Sequence, residues 1–259
     1  MIRSSLANNN FFAGNIFPGL TAYFIPSFFT NRNFKFLFTG IVFLVSAINC
    51  NAQQTADEQK LADYRKAITE RSAKIVKTLE LNDTGTFNKA VQEVSNQYFS
   101  LNTIHENFKA AVIAIKGQST EKAAADEAIK KEEEKKAAIL KQQHAAFLGH
   151  LKILLTTAQI EKVKNGMTYN VLNVTYTAYM DMLLNLTTEQ KEKIYNWLVE
   201  ARELAMDEGS SDDKHKVFGK YKGRINNYLS AAGYDMKKEE KAWLERIKER
   251  GAAKTNIAS

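Results

Sequence analysis

This chain is poor in the residues that interrupt or cross-link a backbone. Its 259 residues include one cysteine and two prolines, Cys50, Pro18 and Pro26, and none lies beyond residue 50. From residue 53 onward no disulfide can staple the fold and no proline breaks a helix, so a buried core must hold the domain. Catalytic signatures are missing as well. There is no His-Glu-x-x-His, no cysteine pair, and no glycine-rich phosphate loop set between a strand and a helix. That removes the usual zinc hydrolase, thiol redox and mononucleotide-binding classes. Once Cys50 is gone with the leader no thiol nucleophile remains, and no serine sits in an elbow motif with a base to serve it. The histidines at 105, 144, 150 and 215 show no ligand spacing. No metal and no cofactor is therefore expected, and His105 reads as a core or helix-rim histidine.

Acid is also missing from the first 52 residues, which contain no Asp or Glu. There "NRNFK" (31–35) precedes the apolar run "FLFTGIVFLVSAI" (36–48). A basic flank and a short apolar run are the layout of a secretory signal peptide, too short for a membrane span of roughly 20 residues. Small residues at Cys50 and Ala52 place cleavage after Ala52. A lipid anchor on Cys50 is the alternative, and Asn49 is a poor residue to precede one. The expected organisation is a leader and signal peptide over 1–52, a helical domain over 53–250 and a frayed tail over 251–259. Export places the mature chain in the periplasm or outside the cell, with no transmembrane span. The formal charge of +7 falls to +4 when Arg3, Arg32 and Lys35 leave with the leader. A mild surplus spread along helices is not a nucleic-acid footprint.

What is present is helical periodicity. The first helix is expected over 56–81, with Leu61, Tyr64, Ile68, Ile75 and Leu79 inward and "NDTG" ending it. In the second, Phe87, Val91, Val94, Tyr98, Leu101, His105, Phe108, Val112 and Ile115 alternate steps of four and three, a buried seam closed by Gly117. A third long helix follows. Its first half is polar nearly all round and is expected to project into solvent, and from Ile139 it gains an apolar face with Leu140, Phe147, Leu151 and Leu154. Two copies of Leu-Thr-x-x-Gln, "LTTAQ" (155–159) and "LTTEQ" (186–190), then read as capping boxes built on Thr156 with Gln159 and Thr187 with Gln190. Each starts a helix: one ends at Asn165-Gly166, the other runs over 188–208 with Ile194, Trp197, Leu198, Ala201 and Leu204 inward. Ser210 or Ser211 caps the next, Gly233 stops it, and Asp235 caps a last helix that buries Trp243, Leu244 and Ile247. The reading is all-α, a single-domain bundle of long antiparallel helices plus shorter C-terminal helices. The β-branched stretch 165–182 is assigned to a turn and a Tyr-faced helix, because an isolated strand would have no partner.

Candidate site residues concentrate in two segments. "KHKVFGKYKGRINNY" (214–228) turns Phe218, Ile225 and Leu229 to the core. It also carries Gly219 and Gly223 inside a helix, where each costs ~1 kcal/mol relative to Ala and suggests a close neighbour. Flat aromatic faces beside Asn, Lys and Arg donors suit a polyhydroxylated or acidic sugar. The candidate ligand-binding residues are Tyr169, Asn170, Tyr176, Tyr179, His215, Lys220, Tyr221, Arg224 and Asn227, with no catalytic residue assigned. The competing reading is a tightly packed helix pair with a solvated basic face. Asp181, Glu203, Asp207 and Asp212 read as solvated helix residues.

Three stretches carry a resemblance: "NQYFSLNTIHENFKA", "EKVKNGMTYNVLNVTYTAYMDM" and "NLTTEQKEKIYNWLVEARELAMDEGSSDDKHKVFGKYKGRINNYLSAAGYD". On these residues the mature chain resembles a secreted all-helical family of Bacteroidetes, catalogued as a domain of unknown function of the DUF3826 type and labelled sugar-binding. The resemblance implies association with polysaccharide-utilisation gene sets and supplies no catalytic residues. The chain departs from the family pattern at "LELNDTG", where Asn82 stands in place of a third Leu-Thr box. The expected function is non-enzymatic binding of saccharide or acidic glycan. The alternatives are a polysaccharide lyase using His215, Lys220 or Tyr221 as base, and a periplasmic chaperone of the Leu-Thr-x-x-Gln type.

Overall fold

A computed structural model describes the backbone of residues 58–257 and the side chains through residue 250. The leader, the cleavage site and Cys50 lie outside the described residues. The described chain is all-α. α1 is helical from residue 58 to 77, and α2 (Thr84–Gln118), α3 (Lys122–Leu154), α4 (Thr157–Met167), α5 (Val171–Met182), α6 (Thr188–Met206), α7 (Ser211–Ala231) and α8 (Met236–Ile257) follow. No strand occurs among the described residues.

Local chemistry sets the starts. Both threonine boxes are formed in full. Gln159 N–H donates to Thr156 Oγ1 at 3.3 Å while Gln159 Oε1 accepts from Thr156 N–H at 3.0 Å. The second copy repeats this at 3.2 and 2.9 Å through Thr187 and Gln190. Each closes orphan donors of the first helical turn and contributes about 1 kcal/mol. Leu155 and Ile160 are both buried beside the first box. Asp83, placed by the sequence in a helix-ending turn, instead caps the start of α2 by accepting from Thr86 N–H at 2.6 Å. The preceding helix ends earlier, at 77, and Glu80 turns the chain with φ 54°. Ser210 caps α7, and Gly233 with φ 96° follows its C-terminus.

Two apolar cores result. The first gathers Ile68, Ile75, Val76 and Leu79 of the N-terminal segment with Val94 and Tyr98 of α2, Phe147 and Leu151 of α3, and Val163 and Met167 of α4. The second gathers Leu172, Tyr179 and Leu183 of α5, Ile194, Leu198 and Ala201 of α6, and Phe218, Ile225 and Leu229 of α7. α2 and α3 run antiparallel: His150 meets Glu93 at 3.0 Å, Gln143 donates to Gln97 at 2.8 Å, and Lys136 Nζ stands 4.1 Å from the Phe108 ring centroid. The polar half of α3 therefore does not project alone. It packs along the C-terminal half of α2, with Ala125 buried and Ile129 half-buried.

α8 is held largely by polar bonds to the end of α5. Trp243 Nε1 donates to Asp181 at 2.7 Å, Arg250 makes a two-pronged contact with the same carboxylate, and Arg246 donates to the carbonyls of Asp181 and Met182. Leu244 and Ile247, expected inward, are exposed, as are Leu61 and Leu204. The structure corrects these inward assignments; Leu204, for one, falls on a lateral stripe of α6 beside Trp197 rather than on its core face.

The glycines divide by environment. A Cβ on Gly166 would stand 2.8 Å from Ile75 Cγ2, so this residue is a close-approach glycine inside α4 rather than the helix stop. Gly219 and Gly223 have open space where a Cβ would go, which corrects the expectation of a close neighbour there. Urea denaturation is expected to separate them. Gly166→Ala should destabilise by about 1–3 kcal/mol, because Ile75 is buried and stiff at χ1. Gly219→Ala and Gly223→Ala should each stabilise by roughly 0.5–1 kcal/mol.

Candidate functional site

Between the two cores lies a charged joint. Arg202 of α6 is 2% exposed. Its Nη2 donates to Glu161 Oε2 at 2.6 Å and Glu203 Oε1 at 2.8 Å, and its Nη1 donates to Asn165 Oδ1 at 2.8 Å. Lys164 reaches Glu203 at 3.0 Å and Glu161 at 3.2 Å. From α3, His144 places Nδ1 3.0 Å from Asp207 and Nε2 3.5 Å from Glu203. His105 Nε2 lies 2.8 Å from the Asp207 carbonyl, and Gly209 passes so close to that imidazole that a Cβ would meet it at 2.8 Å. Lys214, 4% exposed, donates to the Ala205 and Met206 carbonyls at the end of α6.

These contacts set the protonation states. Hydrogen bonds to Asp207 and Glu203 outweigh desolvation and raise His144 to about 9, so it is a cation at neutral pH. Burial alone would raise Glu203, but the hydrogen bonds from His144, Lys164 and Arg202 together hold it down to about 2. Burial pushes Lys214 down to about 8 against the pull of Asp207 and Glu208. Glu203 and Asp207 are therefore joint residues, not the solvated carboxylates that the sequence suggested. Each charged group in it meets a hydrogen-bond or ion-pair partner, which suits a structural clamp better than a reacting group. Among the described residues no group of three His, Cys, Asp or Glu is placed to hold a metal ion.

The candidate ligand-binding residues fall on three surfaces. Tyr169 and Asn170 form the α4–α5 turn with φ 56° and 58°, and Tyr169 stacks on His215 at 5.7 Å and 26°. Tyr179 is buried, and its hydroxyl donates to Asn226 Oδ1 at 2.6 Å, with burial raising it to about 12. Tyr176 packs edge-on against Tyr195 at 5.3 Å on the α5–α6 flank.

The third surface is the α6–α7 flank. At 100° per residue, Lys220, Tyr221, Arg224 and Asn227 share one side of α7, and His215 and Asn226 lie roughly half a turn away. The structure thus separates Tyr221 and Arg224 from Tyr169, Tyr176 and Tyr179. It joins them instead to α6 residues that the sequence reading left out of the site. Arg224 Cζ stands 4.5 Å from the Trp197 ring centroid, and Tyr228 meets Trp197 edge-on at 5.3 Å. Lys193 Nζ stands 4.5 Å from the Tyr228 centroid and 5.5 Å from that of Trp197. Glu200 pairs with Arg224 at 3.5 Å. Burial first, then the hydrogen bond and charge of Glu200, push the Tyr221 hydroxyl up to about 12. Spacing places 193, 197, 200 and 204 on one stripe, and Trp197, expected inward, is half-buried at this surface.

An all-α bundle with a charged internal joint and an aromatic, cationic outer flank is the class of protein these features define. A family model described as "Protein of unknown function (DUF3826)" matches residues 65–249, and the chain belongs to that family. No curated protein matches it. Among the described residues no helix is long and apolar enough to cross a membrane.

The joint gives a pH test. His144 has its folded-state pKa raised from 6.5 to about 9, so its stabilisation is complete below pH ~6.5 and is lost as pH rises through about 9. Unfolding free energy should fall by about 1–2 kcal/mol across that window, allowing for solvent screening of a partly exposed pair. Chemical denaturation of wild type and His144→Gln at pH 6 and pH 9.5 checks this. The variant should be less stable at pH 6 and should lack this component of the alkaline decline.

Proposed function

We propose that this protein is exported and binds acidic glycan without catalysis, in the service of polysaccharide utilisation. The observation that supports this most is the α6–α7 flank. There the rings of Trp197, Tyr221 and Tyr228 carry Lys193 and Arg224, with Lys220 and Asn227 alongside on α7. Lys193, Lys220 and Arg224 bring three cations to this flank, where Glu200 pairs with Arg224. Cation–π contact keeps the Arg224 and Lys193 heads over the rings, so less side-chain freedom is lost when an anion binds. A glycan carboxylate or sulfate would pair with those heads, and the neighbouring hydroxyls would find the Asn227 amide and ring edges. Export rests on the signal-peptide reading of 1–52, and polysaccharide utilisation rests on the family resemblance.

The chemistry of the flank favours binding over a lyase. A base must lose its proton near working pH, whereas Tyr221 is raised to about 12. His215 lies on the other side of α7 against Tyr169.

Calorimetric titration with a hexameric oligogalacturonate should show saturable binding that weakens as salt rises from 20 to 300 mM. Arg224→Gln and Lys193→Gln should each weaken it about tenfold, a loss of ~1.4 kcal/mol. Absence of binding to any of a panel of uronate and sulfated oligosaccharides would refute the proposal, as would unchanged affinity in both variants.

A further inference from the structure

We infer that the opposite flank of α6 carries a second saccharide contact, selective for neutral sugar rings, in the recess between Tyr176 and Tyr195. This rests on the carbohydrate-binding reading above but uses none of the residues that support it. α6 turns Ile194, Leu198, Ala201 and Ala205 into the second core. By helical geometry the stripes on either side of that face lie about half a turn apart. Lys193, Trp197 and Glu200 form one stripe, and Thr188, Lys191 and Tyr195 belong to the other.

The recess on this second side has a volume of about 450 Å³ and is lined by Tyr176, Thr188, Lys191, Glu192, Tyr195 and Asn196. That is within the size range of small-ligand sites, roughly 300–1,000 Å³. Tyr195 is 42% exposed, and Tyr176 stands almost perpendicular to it, with an interplanar angle of 77°. A face and an edge thus make a corner into which a pyranose can lay its C–H side.

The polar lining decides what kind of ring fits. Lys191 only donates, the Glu192 carboxylate only accepts, and Thr188 and Asn196 do both. A sugar hydroxyl needs donor and acceptor together, so this mixture answers a neutral polyol. A carboxylate or sulfate needs donors alone, and Glu192 would repel it. Among the described residues none of these four side chains is committed to a hydrogen bond or ion pair elsewhere. The two flanks therefore differ in kind. One is cationic with rings already covered by cations, and the other is charge-balanced with Tyr195 42% exposed. A glycan carrying both acidic and neutral units could be held on two sides of one helix, and two glycan chains could be bridged.

The experiment titrates the full mature chain with two probes by calorimetry. One is the hexameric oligogalacturonate, and the other is a set of neutral hexasaccharides of gluco-, manno-, xylo- and galacto-configuration. At least one neutral probe should bind, with affinity falling tenfold or more in Tyr195→Ala and unchanged in Arg224→Gln. The uronate should show the reverse pattern. Tyr195→Phe, which keeps the ring, should retain most of the neutral affinity, and a matched unfolding midpoint for Tyr195→Ala shows that the fold is intact. If the uronate binds and no neutral probe does, or if Tyr195→Ala leaves neutral binding unchanged, the second contact is wrong and the first reading stands. If neither class binds, both are wrong.

Discussion

Arg202 is the charge around which the two cores are arranged. A guanidinium that is almost wholly enclosed must keep every partner, because stripping one from a buried pair costs about 3–5 kcal/mol. Its partners come from α6 itself and from α4, so satisfying Arg202 fixes α4 against α6. Asn165 carries the effect further. Its side chain accepts from Arg202 while its carbonyl accepts from Asn170 N–H at 2.7 Å, closing the left-handed turn that redirects the chain into α5. The direction of α5, and with it the positions of Tyr176 and Tyr179, follows from where one buried cation finds its acceptors.

The same logic explains why the joint is ionic. An ionic joint places a stricter geometric demand than an apolar one, because each enclosed charge must meet its partners. Charged partners at 2.6 to 3.5 Å tolerate little displacement, so α3, α4 and α6 have one mutual register in which His144, Lys164, Arg202, Glu161, Glu203 and Asp207 are all answered. Gly209 beside His105 and Gly166 beside Ile75 show the packing on either side of the joint to be close. A chain without disulfides gains specificity here from geometry that bulk burial alone does not supply.

How legible this was depended on the range of each interaction. The threonine boxes act over three residues, and sequence alone located both to the residue. The α2 seam and the apolar face of α7 are also local in origin: Phe218, Ile225 and Leu229 are buried as the spacing put them, whereas the seam is buried at Val94, Tyr98 and Leu101 and only half-buried toward its ends. The joint is different: Arg202 meets Asn165 and Glu161 from 37 and 41 positions away, and His144 meets Asp207 from 63. No local rule marks Arg202 or Lys214 as enclosed, since most arginines and lysines stay in water. The glycines misled for the same reason. Asn165-Gly166 has the chemistry of a helix stop, yet what decides Gly166 is Ile75, three helices earlier. Leu204 and Leu244 show the converse, because periodicity names a face without saying that anything covers it. Of the candidate ligand-binding residues, Lys220, Tyr221, Arg224 and Asn227 share one side of α7 by helical spacing, while His215 of the same helix does not. Pairing them with Tyr169, Tyr176 and Tyr179 needed the relative placement of α5 and α7, which no periodicity encodes.

The proposed binding surfaces flank the stretch of α6 whose inner stripe, Ile194, Leu198 and Ala201, enters the second core, ahead of the end where Arg202 and Met206 are also buried. Its inward stripe is shared with α5 and α7, and each neighbour leaves one lateral stripe of α6 at the surface. Both lateral stripes hold aromatic residues, Trp197 on one side and Tyr195 on the other, and the chain surrounds them with different charge. On the α7 side, the cations rest on the rings. On the α5 side, Lys191 and Glu192 carry opposite charge, and Tyr195, packed edge-to-face with Tyr176, stays 42% exposed. Anchoring α6 through Arg202 at its C-terminal end and the Thr187 box at its N-terminal end holds both stripes in place. Tyr234 adds to this by donating to the Asn185 carbonyl and to Gln190 of that same box. For the proposed binding surfaces, a helix clamped at both ends needs little reorganisation to bind, and shallow surfaces with few contacts depend on that economy most.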